Sequence, residues 1–144
     1  MASLSKPLSE SVRAELRRLG ARETNIEPPD TIVLLGKPTP LPLAIGQLIC
    51  GFAVPSDLSV QTSARTLDVT FSVDELGLSE YDCHARRPYL EIATTSTQDK
   101  FLLDLSDPEP GDPTVYYLDH DDYTEDPITF GRLSAWLAGI AKTR

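Results

Sequence analysis

The stretch YLEIATTSTQDKFLLDLSDPEPGDPTVYYLDH, residues 89–120, decides the fold. Its three apolar runs, Tyr89–Ser96, Lys100–Leu105 and Thr114–His120, are rich in aromatic and β-branched residues and too short for helices, so each reads as a strand. The link Thr94–Asp99 is short enough for a hairpin, and Ser106–Pro113 (SDPEPGDP) is built from turn-forming residues. Consecutive strands joined this way form an antiparallel meander. In Val115, Tyr116, Tyr117 and Leu118 successive side chains face opposite sides, so at most one of the two tyrosines is expected to point outward.

Upstream, Thr66–Val73 alternates Leu67, Val69, Phe71 and Val73 on one side, as a half-buried strand does. Residues 55–65 read as a polar loop and Asp74–Asp82 as a turn or short helix. Thr31–Gly36 (TIVLLG) is a short strand between Pro28, Pro29 and Pro38, Pro40, Pro42. Leu41–Phe52 is apolar enough for a buried helix opening at Pro42, with Gly46 as its weak point and a strand as the alternative. Val12, Leu16 and Leu19 recur at helical spacing, with Ser9 or Ser11 to cap the start and Gly20 to end it. Arg13, Arg17, Arg18 and Arg22 fall mostly on the polar side of this helix, where a solvated face outweighs an anion site.

At the other end, residues 126–144 predict an amphipathic helix capped by Asp126 or Thr129, with Pro127 early and a stripe of Phe130, Leu133, Leu137 and Ile140 beside Trp136. The expected architecture is one α+β domain over 1–144, an antiparallel sheet of about five strands packed with N-terminal and C-terminal helices. A chain of 144 residues buries enough surface to fold without disulfides or metal. It shows no signal-peptide core and no apolar run long enough to span a membrane, and with only Cys50 and Cys83 it reads as a cytoplasmic protein with reduced thiols.

Charge narrows the function. The net charge of -9 disfavours nucleic acid and anionic lipid as direct partners. Residues 99–126 hold ten acids (Asp99, Asp104, Asp107, Glu109, Asp112, Asp119, Asp121, Asp122, Glu125 and Asp126) against Lys100, so this segment carries the whole excess. Carboxylates in loops keep a protein soluble without any partner, but concentrated on one face they steer a basic one.

Asp119, His120, Asp121 and Asp122 lack the alternating oxygens and glycine of a calcium loop and the spacing of a zinc site, so a solvated strand end is preferred and no metal or other cofactor is expected. Cys83, His84 and His120 supply the ingredients of a thiolate nucleophile without a motif that joins them. With no phosphate loop, nucleophile elbow or paired-cysteine motif, the chain reads as a binding domain, not an enzyme.

The wording FLLDLSD, then PTVYYLDHDD, then ITFGRLSAWL resembles the closing half of the SUKH (SMI/KNR-like) superfamily. Leu103–Leu105, Val115–Asp121 and Thr129–Leu137 match that family's Leu-Asp-Leu strand, its Val-Tyr-x-x-Asp-His-Asp strand and its last helix, and the likeness covers residues 89–140. Cys50, Gly51 and Phe52 replace the usual Asn-Gly turn after the second helix, and Thr94–Gln98 replaces a Gly-rich turn. The resemblance implies an α+β fold without catalytic residues, used in bacteria as an immunity protein that binds and neutralises a cognate toxin, often a nuclease. A regulatory or scaffolding module of the same fold, binding a host protein, is the alternative. The partner-binding residues expected on charge are Asp104, Asp107, Glu109, Asp112, Asp119, Asp121, Asp122, Tyr123, Glu125 and Asp126, facing a toxin with a basic surface.

Overall fold

A computed structural model of the chain describes residues 2–34, 37–61, 66–71, 89–119 and 128–142. After a short 3-10 turn at Ala2–Ser5, the first helix, α1 (Glu10–Arg18), begins where the Ser9 hydroxyl accepts the Val12 N–H at 3.3 Å and ends before Gly20 at φ +88°. Val12 and Leu16 are buried, while its arginines are tied down: Arg13 and Arg17 pair with Glu23, and Arg17 also with Glu10. The α1 face is a set of internal ion pairs.

Two small antiparallel pairs follow. The strand β1 (Arg22–Glu23) pairs with β4 (Phe52–Ala53), and β2 (Thr31–Leu34) pairs with β3 (Lys37–Pro40). Of the expected TIVLLG strand, Thr31–Leu34 forms β2 in a separate two-stranded sheet outside the main one, where the prolines of β3 cost no second ladder, and Leu35 and Gly36 lie outside the described residues. Between them α2 (Leu43–Cys50) opens after Pro42 and buries Ala44, Ile45, Gly46 and Leu48. Gly46 is explained by packing, since a side chain there would meet Pro28 Cβ at 2.5 Å. Its absence lets the proline segment dock on the helix.

Among the described residues the main sheet has seven strands in the order β10-β9-β8-β7-β6-β5-β11, every neighbouring pair antiparallel. Four of its strands are those expected: β6 (Thr66–Phe71), β7 (Tyr89–Thr95), β8 (Lys100–Asp104) and β9 (Thr114–Leu118), the last three a meander. In β6, Leu67 and Val69 are buried between exposed Thr66, Asp68 and Thr70, the alternation read from the sequence. The β7–β8 turn holds Gln98 at φ 68°, and buried Asp99 fixes it by accepting the Thr97 hydroxyl at 3.0 Å and the Tyr117 hydroxyl. Tyr116 and Tyr117 are both half-buried, Tyr116 edge-on to Tyr89 and Tyr117 against Phe101.

Three strands of this sheet were not anticipated, and it has seven where about five were expected. The supposed loop 55–65 contains β5 (Leu58–Gln61), which buries Leu58 and Val60 against β6. The supposed terminal helix is mostly strand: β10 (Ile128–Arg132) pairs with β9, α3 is only Leu133–Ala138, and β11 (Ile140–Lys142) pairs with β5. Thr129 lies opposite Tyr116 in the sheet and caps no helix; Asp126 and Pro127 fall outside the described residues. Phe130, expected in the core, is 51% exposed. A bulge between Thr129 and Gly131, with Gly131 at φ +153°, breaks the helical register that the apolar spacing suggested.

This arrangement forces the sheet to curl. Across a flat sheet the outermost of seven strands would lie ~29 Å apart. The six residues of α3, which join β10 to β11, rise only ~9 Å. The helix crosses the concave side and buries Leu133, Trp136 and Leu137 in a core that includes Leu16, Ile45, Leu58, Phe101 and Val115. The Trp136 ring lies 4.9 Å from that of Phe101 and 5.5 Å from that of Phe71, and its indole N–H finds no partner among the described residues.

A helix this short has few bonds of its own, and both its ends are satisfied from elsewhere. At the start, Asp112 accepts the Ser134 N–H at 2.8 Å and the Ser134 hydroxyl at 2.6 Å, and the Pro113 carbonyl accepts the Leu133 N–H at 2.7 Å. At the end, the Arg18 guanidinium donates to the Leu137 and Ile140 carbonyls, each at 2.8 Å. We expect Asp112→Ala to cost about 1 kcal/mol, the usual loss of a capping acceptor, and Trp136→Ala about 3–5 kcal/mol. Urea denaturation checks both; an unchanged midpoint for Asp112→Ala would mean that burial alone holds α3.

Candidate functional site

The turn after β8 sets up the acidic site. Asp104, the last residue of β8, is 2% exposed, and its Oδ1 accepts the Ser106 N–H at 2.8 Å and the Ser106 hydroxyl at 2.6 Å. Asp107 makes the next turn: Oδ1 accepts the Glu109 N–H at 2.8 Å and Oδ2 the Thr114 N–H at 2.9 Å. These are the side-chain-to-backbone bonds for which aspartate is favoured in turns. They hold the loop against the start of β9.

Between this loop, β9 and β10 lies a cleft of about 520 Å³, lined by Asp104, Ser106, Asp107, Pro108, Glu109, Thr114, Tyr116 and Arg132. Three carboxylates against one guanidinium leave it negative by two formal charges. Arg132 is partly committed elsewhere, donating to the Asp112 carbonyl at 3.1 Å. Lys100, the one base of the acidic segment, lies 3.9 Å from Glu91.

The residues expected to meet a partner divide accordingly. Asp104 is buried, so it contributes field and turn structure but no direct contact, a correction to its expected role. Asp112 is half-buried with both oxygens on Ser134, and so belongs first to the α3 cap. Asp107 is half-buried with both oxygens on backbone N–H groups. Glu109 and Asp119 are exposed. Asp121, Asp122, Tyr123, Glu125 and Asp126 lie outside the described residues, as do Cys83, His84 and His120 of the alternative nucleophilic reading.

Arg132 and Thr114 are the cleft residues that sequence reasoning missed. Arg132 sits there because residues 128–132 form a strand paired with β9 and not a helix, and no local signal gave that register. Among the described residues, no group of three His, Cys, Asp or Glu side chains is placed to hold a metal ion. The other clefts are of a different kind. One of about 400 Å³ is lined by Leu4, Pro28, Pro29, Pro40, Leu41 and Leu43 with Ser5 and Asp30, and a smaller one is lined by apolar residues, Leu48 and Phe71 among them. No helix among the described residues is long and apolar enough to cross a membrane.

The chemistry available in the acidic cleft is electrostatic. Asp104 and Asp107, hydrogen-bonded within their own turn, are held in place before anything binds. We expect Asp107→Ala to destabilise the domain by about 1–3 kcal/mol, since two N–H groups lose their acceptor. Glu109→Gln should change stability by less than about 0.5 kcal/mol. Thermal denaturation of the two variants separates the structural acid from the surface one. Comparison of the chain with protein-family models, with curated proteins and with solved structures gives no match.

Proposed function

We propose that the chain is a non-enzymatic protein-binding domain of SUKH-like type, acting in the cytoplasm as an immunity protein that neutralises a cognate bacterial toxin through its acidic face. The observation that carries this reading is the cleft between the 104–109 turn and the β9–β10 edge, negative by two charges and lined with acids held in place by their own turn. Exposed Glu109 lies on the cleft, and exposed Asp119 follows β9.

A nuclease must be basic where it grips its substrate, because phosphate neutralisation supplies most of its affinity. An inhibitor with clustered carboxylates is complementary to that surface, approaches it faster than a neutral protein would, and covers the substrate site once seated. The resemblance over residues 89–140 points to the same class of partner.

The test is affinity capture from native lysate at low and high salt with the wild-type chain, Glu109→Lys, and the double variant Asp121→Lys/Asp122→Lys. A single stoichiometric basic toxin is expected, released by salt, with association slowed about tenfold by the charge reversals. Its toxicity on expression should disappear when this chain is co-expressed. Capture of a host protein indifferent to salt and to the reversals would replace the immunity reading by the regulatory one, and capture of nothing would remove both.

A further inference from the structure

The strand β10 forms one edge of the sheet, and among the described residues it pairs only with β9. Alternate residues of such an edge turn backbone N–H and C=O groups outward, and only another extended backbone satisfies them in register. The usual protections against pairing are partial here: within Ile128–Phe130 there is neither proline nor charge and all three residues are exposed, while Phe130 itself falls in the bulge between Thr129 and Gly131. Ile128 is 62% and Phe130 51% exposed, two of the four large apolar side chains that stand out from the described surface.

The two faces of this edge differ. Ile128 lies opposite Tyr117, which lies opposite Phe101, and the Phe130 ring meets Phe101 edge-on at 5.7 Å, so the apolar pair belongs to one face. Thr129 lies opposite Tyr116 and Arg132 opposite Thr114, which puts the acidic cleft on the other face. A strand added to β10 would place its side chains alternately beside Ile128 and Phe130 and beside the cleft of Asp107 and Glu109.

We infer that β10 is a docking edge for an extended segment of the partner protein in which apolar and basic residues alternate, added as an eighth strand to the sheet of seven. The inference rests on the reading of the chain as a binder of a basic protein and names how that partner is held. Main-chain pairing supplies affinity, the apolar residues cover Ile128 and Phe130, and the basic ones neutralise the cleft. A second copy is the poorer occupant, because pairing β10 with itself would bring two negative clefts together in chains of net charge -9.

The probe is a synthetic peptide about eight residues long that alternates valine and lysine, titrated calorimetrically into the full chain. It should bind, and N-methylation of its central amides, which removes pairing N–H groups while keeping every side chain, should weaken binding at least about tenfold. Phe130→Lys, a change at an exposed position, should weaken it by about the same factor. A peptide alternating valine and glutamate should not bind; equal binding would overturn the basic occupant. Undiminished affinity of the N-methylated peptide, or no binding of the parent, would overturn strand addition. A concentration-dependent dimer abolished by Ile128→Lys would overturn it in favour of a second copy. A captured basic partner that needs Glu109 but tolerates Phe130→Lys would sink this docking mode and leave the proposed function standing.

Discussion

Helix α3 is too short to reach between the edges of a flat sheet of seven strands, and from that constraint the rest of the structure follows. The edges approach only if the sheet curls, and curling creates the concave face on which α3 lies. Six residues make a poor helix alone, so Leu133, Trp136 and Leu137 must be buried, and both termini must be satisfied by Asp112 and Arg18. Those two come from different elements. Asp112 belongs to the loop after β8 and Arg18 to α1, so a single turn and a half of helix ties the N-terminal helix, the central meander and both sheet edges into one core.

The same economy governs the acids. A segment that carries the whole charge excess would be expected to present all of it to solvent, but much of it is spent internally. Asp99 organises a hairpin, Asp104 and Asp107 close a turn, and Asp112 caps α3. Each accepts N–H or O–H groups, so these buried and half-buried carboxylates have hydrogen-bond partners in place of water. Among the described residues, Asp104, Asp107 and Glu109 line one cleft beside β10, and Asp119 is exposed after β9.

Legibility followed the range of the interaction that fixes each element. The α1 helix was readable, with its start left between Ser9 and Ser11, because hydroxyl caps and Gly20 are local signals, and β6 to β9 because alternation and turn chemistry lie within each strand or its neighbouring link. The C-terminal segment misled for the same reason. Phe130, Leu133, Leu137 and Ile140 have helical spacing, yet only the middle of the run is helix, since β9 and β5 offer unpaired edges that capture residues on either side. Leu58 and Val60 alternate with Ser59 and Gln61, but four residues are too few to stand out from a polar loop until β6 and β11 flank them. The acids were found as a cluster by counting; their division into turn, cap and surface depends on partners such as Ser134 and Thr114, which no spacing within 99–126 reveals.

A curled sheet that does not close keeps two edges, and how each is finished bears on function. The strand β11 ends its sheet with Ala141 and Lys142 exposed, small and charged residues of the kind that discourage pairing. The strand β10 ends the other with Ile128, Thr129 and Phe130, of the kind that invites it, and with acids grouped beside one face. Folding alone would favour the first finish at both edges, because an apolar edge left open exposes the chain to unwanted association. Keeping the second at the one edge where the charge is also concentrated makes sense if recognition is the use to which that edge is put. The pairing groups of β10 select an extended backbone, and the field of the cleft selects which one.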